Sequence, residues 1–283
     1  MGEGIRLGSM VRADADHARA PKVLVFDSGL GGLTVLRELK RARPDLEFAY
    51  AADDAAFPYG RLSDAELVER VRSVMERLIG ELAPDLVVIA CNTASTLALP
   101  VLRSRFAIPF VGTVPAVKPA CERSKTKRVS VLATPATVRR DYTQGLIVEF
   151  AGDCQVTLVG SERLASLAEA ALRGESVADQ AIAAEIAPCF VDDGARTDTV
   201  VLACTHYPLL LNRLQKMARW PVAWVDPAPA IARRASSLLG APGAPRAAPI
   251  RAVFTSGHAP EPALAAALAG FGIELEKAAA TAI

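Results

Sequence analysis

The sequence has no unbroken apolar run of about 18 residues, the length that a membrane span requires. It also lacks a long run of like charge, since 32 Lys and Arg balance 31 Asp and Glu to give a net charge of +1. We therefore expect no membrane segment, no nucleic-acid-binding surface and a small molecule as the ligand. Residues 1–20 lack the continuous apolar core of a secretory signal and are predicted to be a disordered tail.

Disulfide and metal spacings are missing as well. The five cysteines form an odd set without a C-x-x-C pair, in a chain of 283 residues that needs no covalent cross-links. This pattern predicts reduced thiols and a cytoplasmic protein. The glycine-rich segment Asp27–Thr34 matches neither G-x-G-x-x-G nor the phosphate loop G-x-x-x-x-G-K-[ST]. Its backbone N–H groups could hold a carboxylate, or Asp27 could simply cap the helix that follows.

From Pro21 onward, short β-rich runs alternate with helical patterns, as is typical of parallel α/β units. Nine candidate strands in a chain of this length favour two doubly wound α/β domains over one sheet. The predicted strands are Lys22–Phe26, Glu47–Ala51, Leu86–Ala90, Phe110–Gly112, Arg128–Ala133, Gln155–Gly160, Thr199–Ala203, Val222–Val225 and Arg251–Thr255. The predicted helices are Leu33–Ala42, one from Ser63 to before Pro84, Thr137–Phe150, Ser161–Leu172, Ser176–Phe190, Leu209–Met217, Ala228–Leu239 and Pro262–Leu268.

Two segments of the chain resemble each other. Asp85–Thr93 and Asp198–His206 both run from an acidic residue through a buried-strand pattern to alanine and then cysteine. The two cysteines, Cys91 and Cys204, lie about one domain length apart, which indicates a duplicated α/β unit. Open α/β sheets bind ligands at the carboxyl ends of their strands, so two such domains would present both thiols to one cleft between them.

Two facing thiols can act as an acid–base pair. A cysteine thiol has an unperturbed pKa of about 8.5, so one cysteine can be a thiolate while the other stays protonated. Placed on opposite sides of a carbanion, the pair removes a proton from one face and delivers one to the other, which inverts a carbon centre. Three alternatives are open: cysteines packed as small hydrophobes, zinc bound by Cys91, Cys204 and His206, or a Cys204–His206 nucleophile.

Four motifs together resemble those of bacterial glutamate racemases, in the same order and at similar spacing. They are Asp27–Gly32, Pro58–Gly60, Cys91–Ala94 and Cys204–Pro208. The resemblance runs from about Val23 to Ser256. It implies a two-domain, pseudosymmetric α/β fold with glutamate bound between the domains, and a reaction that uses neither pyridoxal phosphate nor a metal.

The resemblance also implies roles for individual residues. Cys91 and Cys204 match the two catalytic cysteines, with Cys91 acting on the D-enantiomer and Cys204 on the L-enantiomer, and Asp27 and His206 match residues that assist the thiols. The positions that match those holding the ammonium and carboxylate groups of the amino acid are Asp27, Ser28, Tyr59, Gly60, Asn92, Thr93, Thr205 and His206.

The family topology implies that the chain crosses between domains twice. The first domain would contain residues 21–113 and 227–283, and the second residues 114–226. One departure concerns Asp53–Phe57, where the family commonly has Asp-Thr-Ala-Arg before Pro-Tyr-Gly.

The expected function is glutamate racemisation for peptidoglycan synthesis. The alternatives are an aspartate racemase or another member of the superfamily, and a two-lobed amino-acid-binding module without catalysis. The oligomeric state stays open, with a homodimer as one candidate.

Overall fold

The structure, a computed structural model, describes residues 19–274. Almost all of the predicted N-terminal tail therefore lies outside the described residues. Within the described part, no helix combines the length and the apolar character needed to span a membrane.

Residues 19–274 form nine strands and eleven α-helices. The strands are β1 (Lys22–Asp27), β2 (Glu47–Ala52), β3 (Leu86–Ile89), β4 (Phe110–Gly112), β5 (Arg128–Ala133), β6 (Gln155–Gly160), β7 (Thr199–Ala203), β8 (Ala223–Val225) and β9 (Arg251–Phe254). The helices are α1 (Leu33–Ala42), α2 (Asp64–Leu82), α3 (Asn92–Arg105), α4 (Val117–Arg123), α5 (Pro135–Val138), α6 (Asp141–Phe150), α7 (Leu164–Leu172), α8 (Asp179–Ile186), α9 (Leu211–Met217), α10 (Ala228–Leu238) and α11 (Pro262–Gly270).

The strands form two parallel sheets with the same topology. The first sheet has the order β4-β3-β1-β2-β9, and the second has the order β6-β5-β7-β8. Read from its other edge, the second sheet runs β8-β7-β5-β6, so β5 to β8 occupy the positions that β1 to β4 hold in the first. The predicted duplication and the two-unit α/β class are confirmed, and β9 is an additional strand on the first sheet.

Burial on both faces explains why the strands are so apolar. Along β1, Val23 and Val25 point into a core shared with α1, α10 and α11, whereas Leu24 and Phe26 point into a core shared with α2 and α3. A strand covered on both faces reads as a nearly continuous apolar run. All nine predicted strands are present, each within one residue of its predicted ends.

The helices were predicted less well than the strands. Helix α2 begins at a capping box in which the Ser63 side chain accepts from the backbone N–H of Glu66 while the Glu66 carboxylate accepts from that of Ser63, as expected. Helix α3 was missed, because its polar first turn and internal Pro100 hide an apolar stripe. The single helix expected over Thr137–Phe150 is wrong: α5 and α6 are separate, and Arg140 between them is extended.

The end of the described chain returns to the first sheet. Strand β9 pairs in parallel with β2, and α10 packs against α1. We propose that the chain crosses between the two units near residues 113 and 226, because β4 is the last strand of the first sheet before the second begins and β8 the last of the second.

Candidate active site

Both matched cysteines lie at the carboxyl ends of equivalent strands. Cys91 follows β3 and is the N-cap residue of α3, and Cys204 directly follows β7. The two thiols line one pocket between the sheets, with an empty volume of about 320 Å³ that is partly open to solvent. The pocket is lined by Ser28, Phe57, Pro58, Tyr59, Gly60, Cys91, Asn92, Thr93, Thr134, Ala165, Cys204, Thr205 and His206.

Cys91 belongs to the first unit and is buried. Its Sγ lies 3.6 Å from the hydroxyl oxygen of Ser28. Burial and, less strongly, the nearby charge of Asp27 together raise the pKa of Cys91 to about 12, against smaller opposing effects of the Ala94 N–H and the Ser28 hydroxyl. In the pocket without a ligand, this thiol is therefore held in its protonated form.

Cys204 has a different neighbour, an imidazole. Its Sγ lies 3.8 Å from Nδ1 of His206, whose other ring nitrogen, Nε2, lies 2.8 Å from Oε1 of Glu169. Burial lowers the pKa of His206, but the hydrogen bonds to Cys204 and Glu169 outweigh it and raise that pKa well above 6.5. An imidazolium in this position stabilises negative charge on the sulfur beside it.

Glu169, on α7, is a site residue that the sequence did not reveal. It is buried, and its Oε1 also accepts a hydrogen bond of 2.6 Å from the backbone N–H of Leu30 in the first unit, while Arg173 lies 3.3 Å from Oε2. Burial raises its pKa, but the hydrogen bond and charge of His206 prevail and lower it. Glu169 is thus a carboxylate that links the two units beside Cys204.

Asp27, at the end of β1, also connects the two units. Its carboxylate accepts from the Gly32 N–H at 2.9 Å and from the Thr205 hydroxyl at 3.2 Å. Complete burial raises the pKa of Asp27, despite the lowering effect of His206. Its charge acts on Cys91, and its hydrogen bond reaches Thr205, the residue after Cys204.

The glycine-rich segment after β1 binds carboxylates of the protein itself. Leu30 donates to Glu169 and Gly32 donates to Asp27, while no side chain caps α1, so Asp27 is not its cap. Binding of a ligand carboxylate by this segment stays a prediction. Gly31 is required for another reason. A Cβ atom there would lie 2.5 Å from the Thr205 hydroxyl oxygen and 2.7 Å from the backbone nitrogen of His206. Only glycine allows the two units to approach this closely.

Asn92 has a buried side-chain amide without hydrogen-bond partners in the protein. It is 2% exposed, it lines the pocket, and neither its amide nitrogen nor its amide oxygen has a hydrogen-bond partner. Buried polar groups are nearly always paired, and leaving one unpaired costs about 1–3 kcal/mol. The adjacent Thr93 hydroxyl lies 3.2 Å from that of Thr134 and 3.4 Å from that of Thr137, across the boundary between the units.

Tyr59 and Gly60 lie in the connection between β2 and α2, which borders the pocket. The Tyr59 hydroxyl donates to Asp53 at 2.5 Å, and burial raises its pKa well above 10, so it stays protonated. Its hydroxyl is therefore already paired within the protein, although the residue lines the pocket. The ring of Phe57 packs at a tilt against His206, with centroids 5.4 Å apart.

The structure brings all ten predicted site residues together. Nine line the pocket, and Asp27 lies behind them, bonded to Thr205. The residues that sequence reasoning missed include Glu169, Thr134 and Phe57. Thr134 and Thr137 could have been predicted from the sequence, because they come directly after β5. A position just after the carboxyl end of a strand is the same feature that identified Cys91 and Cys204. Among residues 19–274, no group of three or more His, Cys, Asp or Glu side chains is arranged to hold a metal ion.

Comparison with known proteins agrees with this architecture, in which two duplicated α/β units enclose a pair of thiols. Residues 34–235 match the Asp/Glu/Hydantoin racemase family. The chain is 55% identical to the glutamate racemase of Mesorhizobium japonicum over 257 residues, covering 89% of this chain and 98% of the relative. It is 54% identical to that of Rhizobium meliloti, covering 89% of this chain and 92% of the relative.

Solved structures give the same picture. The Escherichia coli glutamate racemase, in complex with L-glutamate and the activator UDP-MurNAc-Ala, superposes with a TM-score of 0.84 at 43% identity, covering 90% of this chain and 97% of that chain. A glutamate racemase isoform from Bacillus anthracis superposes with a TM-score of 0.76 at 26% identity, covering 90% and 96%. The chain belongs to the Asp/Glu/hydantoin racemase family and, within it, to the glutamate racemases.

Proposed function

We propose that the protein interconverts L-glutamate and D-glutamate by proton transfer between two thiols, supplying D-glutamate for peptidoglycan. The observation that carries this proposal is the placement of Cys91 and Cys204 at the carboxyl ends of equivalent strands, lining one pocket. A binding module has no use for such a pair. We place the reaction in the cytoplasm, where thiols stay reduced.

Each direction of the reaction uses the thiols in opposite roles. In the L-to-D direction, the Cys204 thiolate takes the α-proton and the Cys91 thiol donates its proton to the other face of the carbanion. No bond forms between sulfur and the α carbon: one C–H bond breaks as an S–H bond forms at Cys204, and one C–H bond forms as the S–H bond of Cys91 breaks. His206, with its raised pKa, stabilises the Cys204 thiolate, while the D-to-L direction begins from a Cys91 thiolate.

The substrate itself favours thiolate formation at Cys91. This thiol is protonated in the free pocket, since burial and the charge of Asp27 raise its pKa. The ammonium group of a bound amino acid would bring positive charge between Asp27 and the thiols, and a nearby opposite charge lowers the pKa of an acid. Substrate binding and activation of Cys91 are therefore coupled, and in the unoccupied site Cys91 stays protonated.

The polar lining suits the two carboxylates of glutamate. Ser28 and Thr93 offer hydroxyl groups, the unpaired Asn92 amide offers two N–H donors, and Thr205 lines the same pocket with its hydroxyl donated to Asp27. A site built to hydrogen-bond a carboxylate discriminates strongly against analogues that lack it, because its own buried groups are then left unpaired. We therefore assign substrate binding to these residues, together with Asp27, Tyr59, Gly60 and His206.

Turnover in deuterated water tests the proposal. L-glutamate, D-glutamate and both aspartate enantiomers are offered separately, and circular dichroism follows the loss of optical activity. We expect glutamate to racemise, with deuterium at the α carbon of the product while substrate recovered early keeps its proton. Faster turnover of aspartate than of glutamate would make the alternative, an aspartate racemase, correct. Retention of the original proton in the product would exclude the two-thiol mechanism.

A further inference from the structure

Five polar residues form a cluster behind the wall of the pocket. We call Asp53, Asp54, Arg70, Thr255 and Ser256 the anchor cluster. None of the five lines the pocket, yet they surround the connection of residues 53–60, whose last four residues do. The last two members lie in sequence some 200 residues away from that connection, at the end of β9.

Asp53 is the centre of the anchor cluster. It directly follows β2 and is completely buried. Its Oδ2 accepts from the Tyr59 hydroxyl at 2.5 Å and from Nε of Arg70 at 2.9 Å, while Nη2 of Arg70 lies 2.5 Å from Oδ1. Arg70 comes from α2, so this carboxylate fastens the pocket residue Tyr59 to the helix behind it.

Thr255, which follows β9, is a third residue bonded to Asp53. Strand β9 pairs with β2 up to Phe254 opposite Ala52, which brings Thr255 alongside Asp53. The buried Thr255 hydroxyl donates to Oδ1 of Asp53 at 2.6 Å and accepts from the Ala55 N–H at 3.2 Å. One hydroxyl thus fixes both a side chain and the backbone of the connection.

Ser256 holds the next residue of the same connection. Its hydroxyl donates to Oδ2 of Asp54 at 2.6 Å, and its backbone N–H donates to Oδ1 at 2.9 Å. Hydrogen bonds to a carboxylate are about twice as strong as those between neutral groups, because one partner carries a full charge. Two adjacent carboxylates, Asp53 and Asp54, are therefore both bound by the two residues that directly follow β9.

We propose that Thr255 and Ser256 are positioning residues for the pocket wall formed by Phe57–Gly60. They hold the connection from behind, so that the ring and backbone of Tyr59 stand where the substrate binds. This inference rests on the proposed function only for the identity of the substrate. The returning segment thereby does more than complete the first sheet: it sets the affinity of a site to which it contributes no lining residue.

Two variants test the proposal by kinetics. Thr255→Val keeps the shape of the side chain and removes its hydroxyl. Ser256→Ala removes the partly exposed hydroxyl that donates to Asp54. We expect Thr255→Val to raise KM for glutamate about tenfold in both directions, the loss typical of a hydrogen bond to a charged group, with kcat changed by less than about twofold. Ser256→Ala should raise KM less, and Thr255→Ser should restore the native KM.

Hydrogen–deuterium exchange gives a readout that needs no substrate. The Ala55 amide should exchange about tenfold faster in Thr255→Val than in the native protein because it loses its acceptor, and the Ala56 and Phe57 amides of the same turn should also exchange faster. Thr199→Val is the matched control: Thr199 is also buried, and its hydroxyl donates to Asp198 at 2.9 Å, but it lies at the amino end of β7. The control should leave both KM and the exchange of residues 54–60 unchanged.

The outcomes separate the two proposals. If the native protein does not racemise glutamate, the proposed function fails, and the exchange rates alone decide on positioning. Native KM and native exchange in Thr255→Val would overturn the positioning role, as would an equal rise of KM in the Thr199→Val control. Should Thr255→Val not fold, Ser256→Ala decides by the same two measurements.

Discussion

A Cβ atom on Gly31 would lie 2.6 Å from Nδ1 of His206 and 2.7 Å from its backbone nitrogen. The glycine belongs to the first unit and the histidine to the second, so this contact sets how closely the two halves of the pocket can approach. The neighbouring Leu30 N–H reaches Glu169 at the same place. Closure of the site therefore depends on a position where no side chain fits.

Replacing Gly31 with alanine should separate the units. Backbone atoms cannot yield as a flexible side chain can, so the units must move apart by roughly 1 Å to restore ordinary contact distances. We expect a fall of about 10²-fold or more in kcat/KM, since catalytic groups displaced by about 1 Å lose rate on that scale. Gly80→Ala is the control, because Gly80 lies on α2 with nothing within 4 Å of the added atom. Equal activity of the two variants would refute the role of this contact.

The cysteines should divide into two groups by alanine substitution. Cys91→Ala and Cys204→Ala should each lower turnover by about 10²–10⁴-fold in both directions, because every direction needs one acid and one base. Cys121, Cys154 and Cys189 are buried but none of them lines the pocket, and alanine there should leave kcat and KM close to native. Coupled-enzyme assays in both directions make the comparison. Near-native turnover of Cys204→Ala would contradict the two-thiol mechanism.

The fold was largely predictable because buried parallel strands are easy to recognise. β3 and β7 are short apolar runs that end in cysteine, and both the strands and their equivalence follow from that pattern. Helix α3 was not predictable by the same means, since its buried residues include Asn92, Thr93 and Ser95 rather than an apolar stripe alone. Thr93 meets Thr134 and Thr137 of the second unit, and Ser95 bonds to the Ile89 carbonyl and the Thr113 N–H, contacts that local sequence does not describe.

The site was predictable where residues follow a strand and unpredictable where they meet across the units. Cys91, Asn92, Cys204 and Thr205 all follow strand ends, which motif reasoning can find. Glu169 lies within α7, and nothing in its own segment distinguishes it from a surface glutamate. Its role depends on contacts with Leu30, 139 residues earlier, and with His206, which only the packed structure provides.

Removing the unpaired amide of Asn92 should separate stability from binding. Asn92→Leu keeps the approximate volume and removes two buried polar atoms without partners, so the free energy of unfolding should rise by about 1 kcal/mol. KM for glutamate should rise at least about tenfold, because the substrate loses a partner. Denaturant unfolding and initial-rate kinetics measure the two effects.

Ser95, one turn further along α3, offers the opposite case. Its hydroxyl donates to the Ile89 carbonyl at 2.9 Å and accepts from the Thr113 N–H at 3.1 Å. Ser95→Ala should therefore lower the free energy of unfolding by about 1–2 kcal/mol. If Asn92→Leu were destabilising by as much as Ser95→Ala, the Asn92 amide would have hydrogen-bond partners in the free protein. Its assignment as a group that binds the substrate would then be wrong.

Glu169→Gln should shift the pH dependence of the reaction. Burial lowers the pKa of His206, and the hydrogen bond to the Glu169 carboxylate is among the effects that raise it, so a neutral amide should lower that pKa. His206 then loses its proton at a lower pH, and the alkaline limb of kcat in the L-to-D direction should move to lower pH. The pH profile of the opposite direction, which begins from Cys91, should shift less.

Glu149→Gln, on the exposed face of α6, is the control and should leave both pH profiles unchanged. An alkaline limb that stays in place in Glu169→Gln would show that Glu169 does not act through the charge of His206.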